Sequence, residues 1–352
     1  MPKQTVIEWI TDPNTCFLLG AGASACASKP LIAGLTTKVR ADICAETTTL
    51  LDSLDRVYGR DPTVEDLINQ LQHLEKLLSG RKSKVDGYWT AATIATAIDA
   101  IQQSIVKHVG IAWTPSAVHG KFLQRLSLQR ARTQCDVFTL NYDTLIEATL
   151  ENACIPYIDG FWGAEAAYFD DRLYEREQDG KFRVRLHKLH GSINWIRTPG
   201  DGTVRRHPCA AIKGGDRVVI YPAEQKYYLT QYGVYELLIT RFRARLRQPI
   251  ANNKLVVIGY SFNDDHINEA ILDSANAVGS NLSVLAFVGP ETDQDAQAAR
   301  LQKLCNRCGA RFNMAVGTHS FIGAALNASE WTALKSKDLW KFENLTDLIA
   351  GA

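Results

Sequence analysis

Apolar residues in this chain form short continuous runs, each of which is typical of a β-strand buried on both faces. These runs are Cys16 to Leu19, Asp136 to Leu140, Arg183 to Leu189, Val218 to Tyr221, Lys254 to Gly259 and Leu282 to Val288. Several of them are followed by a stretch with helical spacing. Because strands that alternate with helices build sheets covered on both faces, the pattern predicts an α/β fold with a doubly wound parallel sheet.

The region between the first two runs has a helical periodicity instead. After Asp61 and Pro62, apolar residues recur on one helical face at Val64, Leu67, Ile68, Leu71, Leu74, Leu77 and Leu78. The apolar stretch from Tyr88 to Val109 is expected to pack against this helix, with the charged segment from Arg81 to Asp86 as the turn. We therefore predict three parts: a main domain of residues 1–40 and 113–330, a helical insertion at 41–112 and a helical tail at 331–352.

Charge is balanced along the chain. Its 352 residues include 39 lysines and arginines and 38 aspartates and glutamates, so no whole-chain field attracts nucleic acid or anionic lipid. One predicted helix carries four arginines, at Arg241, Arg243, Arg245 and Arg247. A solvated face or a protein interface is the favoured interpretation of these arginines, ahead of a nucleic-acid site.

The eight cysteines are scattered and show no disulfide-rich pattern. With no signal peptide and no long apolar span, the chain is expected to be cytoplasmic, with reduced thiols and no direct membrane binding. Cys305 and Cys308 form a single C-x-x-C pair, whereas a structural zinc normally needs four ligands. We interpret the pair as structural thiols and expect no metal.

The first strand runs directly into a glycine-rich turn. Gly20 and Gly22 allow a tight turn and a close approach to a pyrophosphate, and Ala25 fits the third, small position of a dinucleotide-binding motif. The dipole of a following helix would also favour an anion. Small residues also occur after strands merely to pack a helix, so both interpretations stay open at this point.

Polar side chains follow the second and third runs. Asn141 has a two-sided amide that can hold a water or a ribose hydroxyl, and Asp143 can fix a loop or a neighbouring hydroxyl, although both residue types also cap helices. His190 ends the next strand, where an imidazole with a pKa of about 6.5 suits proton transfer. His187 should face the other side of the strand and is less favoured.

A fourth strand end resembles the first. Gly259 and Ser261 could approach another part of the same ligand, while Asp264 or Asp265 is interpreted as a helix cap. His266 is expected on the solvent face of that helix. The segment from Ala286 to Pro290 repeats the pattern of a strand followed by glycine, as expected if a dinucleotide lies across several strand ends.

In order along the chain, the segments GAGAS, PSAVHGKFL, TLNYDTLIE, KLHGS and GYSF resemble the sirtuin superfamily, from residue 16 to about residue 290. The resemblance implies a Rossmann-like domain that binds NAD and breaks the bond between nicotinamide and ribose. It places Asn141 and Asp143 near the nicotinamide ribose, makes His190 the catalytic base and turns Ser261 toward the adenosine half. The residues implied at the cofactor are Gly20, Ala21, Gly22, Ser24, Asp143, Gly259, Ser261 and Phe262.

Three departures separate the chain from sirtuin deacylases. The region after the histidine motif holds only Cys209 in place of a four-cysteine zinc ribbon, Lys29 to Ile32 replaces an Asp-Phe-Arg, and Leu140 replaces a glutamine. The chain is therefore more similar to zinc-free sirtuin-like domains of bacterial anti-phage systems, which hydrolyse NAD. That resemblance implies a homo-oligomer and a separately encoded sensor, such as a HerA-type ATPase or an Argonaute-like protein.

Two other classes of function remain open from the sequence. In the first, an acyl oxygen or a side chain replaces water, which gives an NAD-dependent protein deacylase or an ADP-ribosyltransferase. In the second, the chain senses NAD or ADP-ribose and regulates a partner without turnover.

Overall fold

The computed structural model describes residues 5–55, 61–80, 84, 89–110, 114–128, 134–175, 183–198, 203–208, 218–220, 233–318, 320–323 and 332–351. Its strands are β1 Thr15–Leu19, β2 Gln134–Thr139, β3 Tyr157–Ile158, β4 Phe161–Trp162, β5 Ala167–Phe169, β6 Arg183–Lys188, β7 Gly191–Arg197, β8 Val204–Arg206, β9 Val218–Ile220, β10 Lys254–Ile258, β11 Ser283–Val288, β12 Phe312–Val316 and β13 Ser320–Ile322. Its α-helices are α1 Val6–Thr11, α2 Ala21–Ser24, α3 Ile32–Asp42, α4 Ala45–Asp55, α5 Val64–Leu78, α6 Ala91–Val109, α7 Ala117–Ser127, α8 Leu145–Asn152, α9 Val234–Leu246, α10 Asp265–Asn276, α11 Gln294–Asn306 and α12 Phe342–Ala350.

The main sheet has the strand order β13-β12-β11-β10-β1-β2-β6-β3, and every pairing in it is parallel except that of β13 with β12. The predicted α/β fold with a doubly wound parallel sheet is therefore confirmed, and it is Rossmann-like. The chain runs outward from β1 in both directions, through β2 on one side and through β10 on the other. In such sheets, ligands bind in the crevice at this reversal of strand order.

The continuous apolar runs follow from burial on both faces of this sheet. Along β1, Cys16 and Leu18 contribute to one apolar cluster, which includes residues of α9, α10 and α11. Phe17 and Leu19 point the other way, into a cluster with residues of α1, α7, α8 and α12. A parallel strand between two helical layers needs apolar residues at successive positions, so the strand shows no alternation.

One predicted strand has a different location. The run from Val218 forms β9, which pairs with β7 in a second, antiparallel sheet of order β4-β5-β8-β7-β9, and its predicted last residue, Tyr221, lies outside the described residues. The sequence reasoning also missed β12, where Asn313 interrupts the apolar run. The buried Asn313 amide donates to the carbonyl of Val284 in the neighbouring strand, so its polarity is satisfied there.

Helices α3 to α6 bury a third apolar cluster, which includes Leu35, Ile68 and Ile101. Most of the predicted stripe on α5 lies inside it, although Leu77 is exposed. Two residues from the α/β unit, Tyr142 and Ile193, belong to the same cluster. The proposed domain boundaries remain a prediction, and the one between residues 40 and 41 lies within α3; the predicted turn from Arg81 to Asp86 lies almost wholly outside the described residues.

The helical tail ends in α12, which packs on α7. The Phe342 ring meets Phe122 edge-on at a centroid distance of 5.1 Å and meets His119 at 4.7 Å. Within the described part of the chain, no helix has both the length and the apolar composition needed to cross a bilayer.

The arginine-rich helix is α9, and two of its arginines pair with carboxylates of other elements. Arg245 is buried and donates to Asp136 of β2 at 3.0 Å, and Arg241 pairs with Asp171 and Glu175. The interpretation of this helix as a solvated face is therefore wrong for Arg245, because its guanidinium stabilises a buried carboxylate.

Candidate functional site

A cavity of about 480 Å³ opens at the carboxyl ends of β1, β2 and β10. It brings together eight of the ten residues implied by the sequence: Gly20, Ala21, Ser24, Asn141, Asp143, His190, Gly259 and Ser261. Gly22 lies beside this cavity without lining it, and Phe262 is buried in the core. The site therefore occupies the crevice where the strand order reverses.

The glycines after β1 and β10 pack against each other. Gly20 N–H donates to the Ile258 carbonyl and Gly22 N–H donates to the Gly259 carbonyl, both at 2.9 Å. A Cβ on Gly20 would lie 2.5 Å from the Gly259 oxygen, and one on Gly22 would lie 2.8 Å from the Gly259 Cα. Glycine is therefore required here by the close approach of two backbone loops, before any ligand is considered.

The helix expected to bind an anion is short. After the glycine turn, α2 has four residues and continues as a 3₁₀ turn over Ala25–Ala27, which ends at Ser28 with a left-handed φ of 58°. So short a helix has a weak dipole, and the predicted dipole contribution is correspondingly small. Ala25 is exposed; the small residue that packs against the Gly259 loop is the buried Ala23.

Asn141 follows β2 and connects the two neighbouring loops. Its amide nitrogen donates to the Gly20 carbonyl at 3.1 Å and to the Ser24 hydroxyl at 2.7 Å. Since the Gly20 carbonyl can only accept, this contact fixes which amide atom is nitrogen. The amide oxygen is buried and has no hydrogen-bond partner among the described residues. Helix capping, the alternative for Asn141, is thus not its role, and an acceptor remains beside the cavity.

Asp143 precedes helix α8 by two residues and accepts from its first backbone donor. Its carboxylate accepts from the N–H of Leu145, the first residue of α8, at 3.0 Å. Its carbonyl accepts a hydrogen bond from the buried Lys188 ammonium, which also donates to Glu147 at 2.9 Å. Burial raises the pKa of Glu147, while the charge of Lys188 acts to lower it. This buried pair fixes the backbone of the loop that carries both site residues.

His190 follows β6 and pairs with a carboxylate from another loop. Its Nε2 lies 3.0 Å from Oδ2 of Asp264, and both side chains are buried. The other carboxylate oxygen, Oδ1, accepts from the N–H groups of His266 and Ile267 at the start of α10. Asp264 therefore has the predicted capping role and, in addition, orients the histidine. In the tautomer with hydrogen on Nε2, the basic lone pair is on Nδ1.

The loop after β10 is held from behind the cavity. The Tyr260 hydroxyl donates to the Asp264 carbonyl at 3.0 Å, and the Asn268 amide donates to the Phe262 carbonyl at 3.0 Å. Arg300 donates to the carbonyls of Ser261 and Phe262. The Phe262 ring packs on Tyr260, with a centroid distance of 4.7 Å, so Phe262 supports the loop rather than lining the site.

Helix α5 and the end of α6 complete the cavity wall with residues that sequence reasoning missed as site residues. They are Thr63, Glu65, Asp66 and Val109. Lys29 donates to the Val109 carbonyl at 2.6 Å and is the one lysine or arginine among the described lining residues. No periodicity signal could identify Glu65, because it is a polar position on an amphipathic helix.

The glycine turn after β11 does not line the described cavity. Gly289, after β11, lies against the Trp340 ring, which would be 3.1 Å from an added Cβ. Gly289 is absent from the described cavity lining, and Trp340 lies against it, so a ligand across this turn stays a prediction. Of the described loops that follow strands of the main sheet, those after β1, β2, β6 and β10 contribute to the cavity lining.

Two other histidines are buried away from the cavity lining. Burial lowers the pKa of His187, which sits between the rings of Phe138 and Tyr174. Burial also lowers the pKa of His119, to about 4. Both imidazoles are therefore neutral near pH 7 and are part of the packed interior.

Among the described residues, no group of three or more histidine, cysteine, aspartate or glutamate side chains converges as a metal site. Burial raises the pKa of Cys305 to about 12, with a further contribution from Cys308. Cys209 lies outside the described residues, and the expectation of a metal-free protein stays a prediction.

Comparison with known families gives one match. Residues 136–308 match the family model described as the SIR2-like domain. The match begins in β2 and extends past α11, so it includes Asn141, His190 and Asp264. No curated protein matches the chain.

Proposed function

Because this chain carries a SIR2-like domain, and such domains are typically NAD-dependent enzymes, we propose that it hydrolyses NAD at the bond between nicotinamide and ribose. The observation that carries the proposal is the buried Asn141 amide oxygen, an acceptor without a protein partner among the described residues, on a side chain that lines the same cavity as His190. A buried acceptor of this kind is costly unless a ligand or water donates to it.

The cavity suits a small-molecule substrate. Its volume of about 480 Å³ is within the range of about 300–1,000 Å³ that is usual for ligand sites. The polar groups are few and come from separate loops, as expected for orientation of a ligand by convergent contacts. Lys29 supplies a positive charge suited to a diphosphate, while Asp143 supplies an acceptor for hydroxyl groups.

The reaction consumes one water. The bond between the pyridinium nitrogen and the ribose C1′ breaks, and its electron pair stays on the nitrogen, so nicotinamide leaves neutral. The water oxygen bonds to C1′ to give ADP-ribose, and one proton is released. Because the pyridinium is already a good leaving group, the protein must mainly stabilise a cationic ribose and deliver water.

Asn141 and His190 have complementary roles in this proposal. The Asn141 amide oxygen accepts a hydrogen bond from the water or from a ribose hydroxyl and so fixes its position. His190 accepts the proton through Nδ1 while Asp264 holds Nε2–H, and the carboxylate stabilises the imidazolium that forms. The proton then passes to solvent.

The proposal is tested by incubating the purified full chain with NAD and measuring nicotinamide and ADP-ribose. We expect equal amounts of the two products. Asn141→Ala should still fold and should lose two to four orders of magnitude in rate per folded molecule, since general acid–base groups contribute about 10²–10⁴-fold. Saturable NAD binding without nicotinamide release would instead indicate a sensing module.

The same assay with an acetylated peptide separates hydrolysis from transfer. Deacylation produces an acylated ADP-ribose, and ADP-ribosyltransfer produces a modified protein or peptide, whereas hydrolysis produces neither. Either transfer product, formed at a rate above that of free ADP-ribose, would contradict the hydrolase assignment.

We further propose that NAD hydrolysis by this chain serves anti-phage defence as the effector of an abortive-infection system. The support is the resemblance to zinc-free sirtuin-like domains, which also motivates a homo-oligomer and a separately encoded sensor of the HerA or Argonaute-like type. Nicotinamide release should therefore be measured alone and with the product of the neighbouring gene. An equal rate in both conditions would contradict control by that partner.

A further inference from the structure

The helical cluster of α3 to α6 reaches the loop that carries the proposed catalytic groups through one polar contact. The Tyr142 hydroxyl donates to Oε1 of Glu65, which lies in the first turn of α5. Tyr142 stands between Asn141 and Asp143 in the chain, and all four side chains line the cavity. A residue 77 positions away in sequence thus contacts the centre of this loop.

Tyr142 is held at both of its ends. Its carbonyl accepts from the N–H of Ile193 at 3.0 Å and from the hydroxyl of Ser192 at 3.3 Å, both in β7. Its ring is buried with Ile193 in the apolar cluster of the helices. The backbone of Tyr142 is thus held by β7 and its ring by the apolar cluster. The contact with Glu65 fixes the remaining part of the residue, the hydroxyl group.

The direction of the hydrogen bond is set by protonation. Burial raises the pKa of Tyr142 well above its usual value of 10.0, and the charge of Glu65 raises it further. Tyr142 therefore keeps its proton and donates, and Glu65 accepts. The amide oxygen of a glutamine in place of Glu65 could accept the same hydrogen bond, whereas a leucine could not.

We propose that Glu65 is a positioning residue for the reaction: through Tyr142 it holds the segment of Asn141 and Asp143 in the geometry that the chemistry needs. This inference rests on the proposed hydrolysis of NAD. Asn141 is the residue before Tyr142, so a shift of the Tyr142 backbone also moves Asn141. The Asn141 side-chain amide must stay within hydrogen-bond distance of both Gly20 and Ser24. A displacement of about 1 Å in such a group can reduce the rate about 100-fold.

The experiment compares Glu65→Leu, Glu65→Gln and Tyr142→Phe with wild type in kcat and KM for NAD. We expect kcat to fall about 10- to 100-fold in Glu65→Leu and Tyr142→Phe, with KM changed by less than about threefold, because positioning acts on the chemical step. Glu65→Gln should keep kcat near wild type. The double variant Tyr142→Phe with Glu65→Leu should lose no more than either single variant, since both remove one contact.

Glu46→Leu is the matched control, because Glu46 is exposed on α4 of the same helical cluster and is absent from the cavity lining. It should leave kcat unchanged. Equal losses in Glu65→Gln and Glu65→Leu would overturn the inference by assigning the effect to charge, and a rise in KM alone would overturn it by assigning Glu65 to substrate binding.

Hydrogen–deuterium exchange without NAD separates failure of this inference from failure of the proposed function. Glu65→Leu and Tyr142→Phe should exchange faster over residues 141–145 than wild type, and Glu65→Gln should not. If wild type releases no nicotinamide, the proposed function is wrong, and the exchange data still decide the positioning contact. Unchanged exchange in all three variants would overturn it.

Discussion

His187 and His190 are three residues apart, are both buried and each approach a carboxylate, yet their surroundings differ. The His187 ring is stacked between Phe138 at 4.4 Å and Tyr174 at 4.2 Å, and its Nε2 lies 3.3 Å from Asp136. His190 lines the cavity and pairs with Asp264 at 3.0 Å. One histidine is enclosed by protein, whereas the other faces a space that a ligand can occupy.

The carboxylates differ in the same way. Asp136 accepts two hydrogen bonds from Arg185, each at 2.6 Å, and one from Arg245 at 3.0 Å. Burial alone would raise the pKa of Asp136, but the hydrogen bond from His187 and the charge and hydrogen bonds of Arg185 hold it well below the ordinary value. The charge of Asp136 is thus paired within the protein, although Nδ1 of His187 in the same cluster has no hydrogen-bond partner among the described residues. The Asn141 amide oxygen also has none there, but its side chain lines a cavity, whereas His187 does not. An unsatisfied polar atom therefore indicates the site only where its side chain lines a cavity.

The largest expected effect is on catalysis. His190→Ala should reduce nicotinamide release by about 10²–10⁴-fold, because it removes the proposed base, and should change the melting temperature little. His187→Asn is the control: it should lower stability through lost stacking while kcat per folded molecule stays within about threefold of wild type. Rate measurements on the two purified variants, each checked by thermal unfolding, test the contrast. Full activity in His190→Ala would remove the catalytic assignment.

Asp136→Ala should act on stability instead. The variant leaves the guanidiniums of Arg185 and Arg245 without their buried counter-charge, a change that typically costs about 3–5 kcal/mol. Urea unfolding measures this loss, and NAD turnover per folded molecule should be retained. A fall in NAD turnover per folded molecule would show that the Asp136 and His190 clusters are coupled. The assignment of the Asp136 cluster to stability alone would then be wrong.

The smallest expected effect concerns pH and a third buried histidine, His119, whose pKa is lowered to about 4 by burial. Between pH 6.5 and about 4, the unfolded chain binds a proton that the folded chain does not, so stability falls as the pH falls through this window. The contribution is at most about 3.4 kcal/mol at 1.36 kcal/mol per pKa unit. Urea unfolding at pH 7, 6 and 5 should show a shallower pH dependence in His119→Gln than in wild type. An equal pH dependence of stability in wild type and His119→Gln would contradict the assignment of this effect to His119.

Sequence predicted the site best where a residue follows a strand of the parallel sheet. Asn141, His190, Gly20 and Gly259 follow β2, β6, β1 and β10, and because parallel strands end at one edge, these residues had to lie near one another. The same reasoning gave Gly289 a place at the site, but Trp340 covers it. A local sequence pattern cannot predict that a residue distant in sequence packs over a turn.

Other parts of the site depend on contacts between distant segments. Asp264 was interpreted as a helix cap, and nothing local indicates that its second oxygen meets His190 across 74 positions of sequence. Glu65 is one polar residue among several on an amphipathic helix, and only the packing of α5 against the loop after β2 brings it to Tyr142. Periodicity predicted the helix and its buried face but could not predict which polar residue would line a cavity.

The central claim is that NAD binds where Asn141 and His190 meet the glycine loops. The most direct test is a crystal structure of the His190→Ala variant with NAD, since this variant should bind the substrate without consuming it. We predict that NAD occupies the cavity between Gly20, Asn141 and Gly259, with the nicotinamide ribose or a water within hydrogen-bond distance of the Asn141 amide oxygen. NAD bound elsewhere, for example in the separate cavity of about 600 Å³ beside Tyr157 and Arg206, would contradict the account.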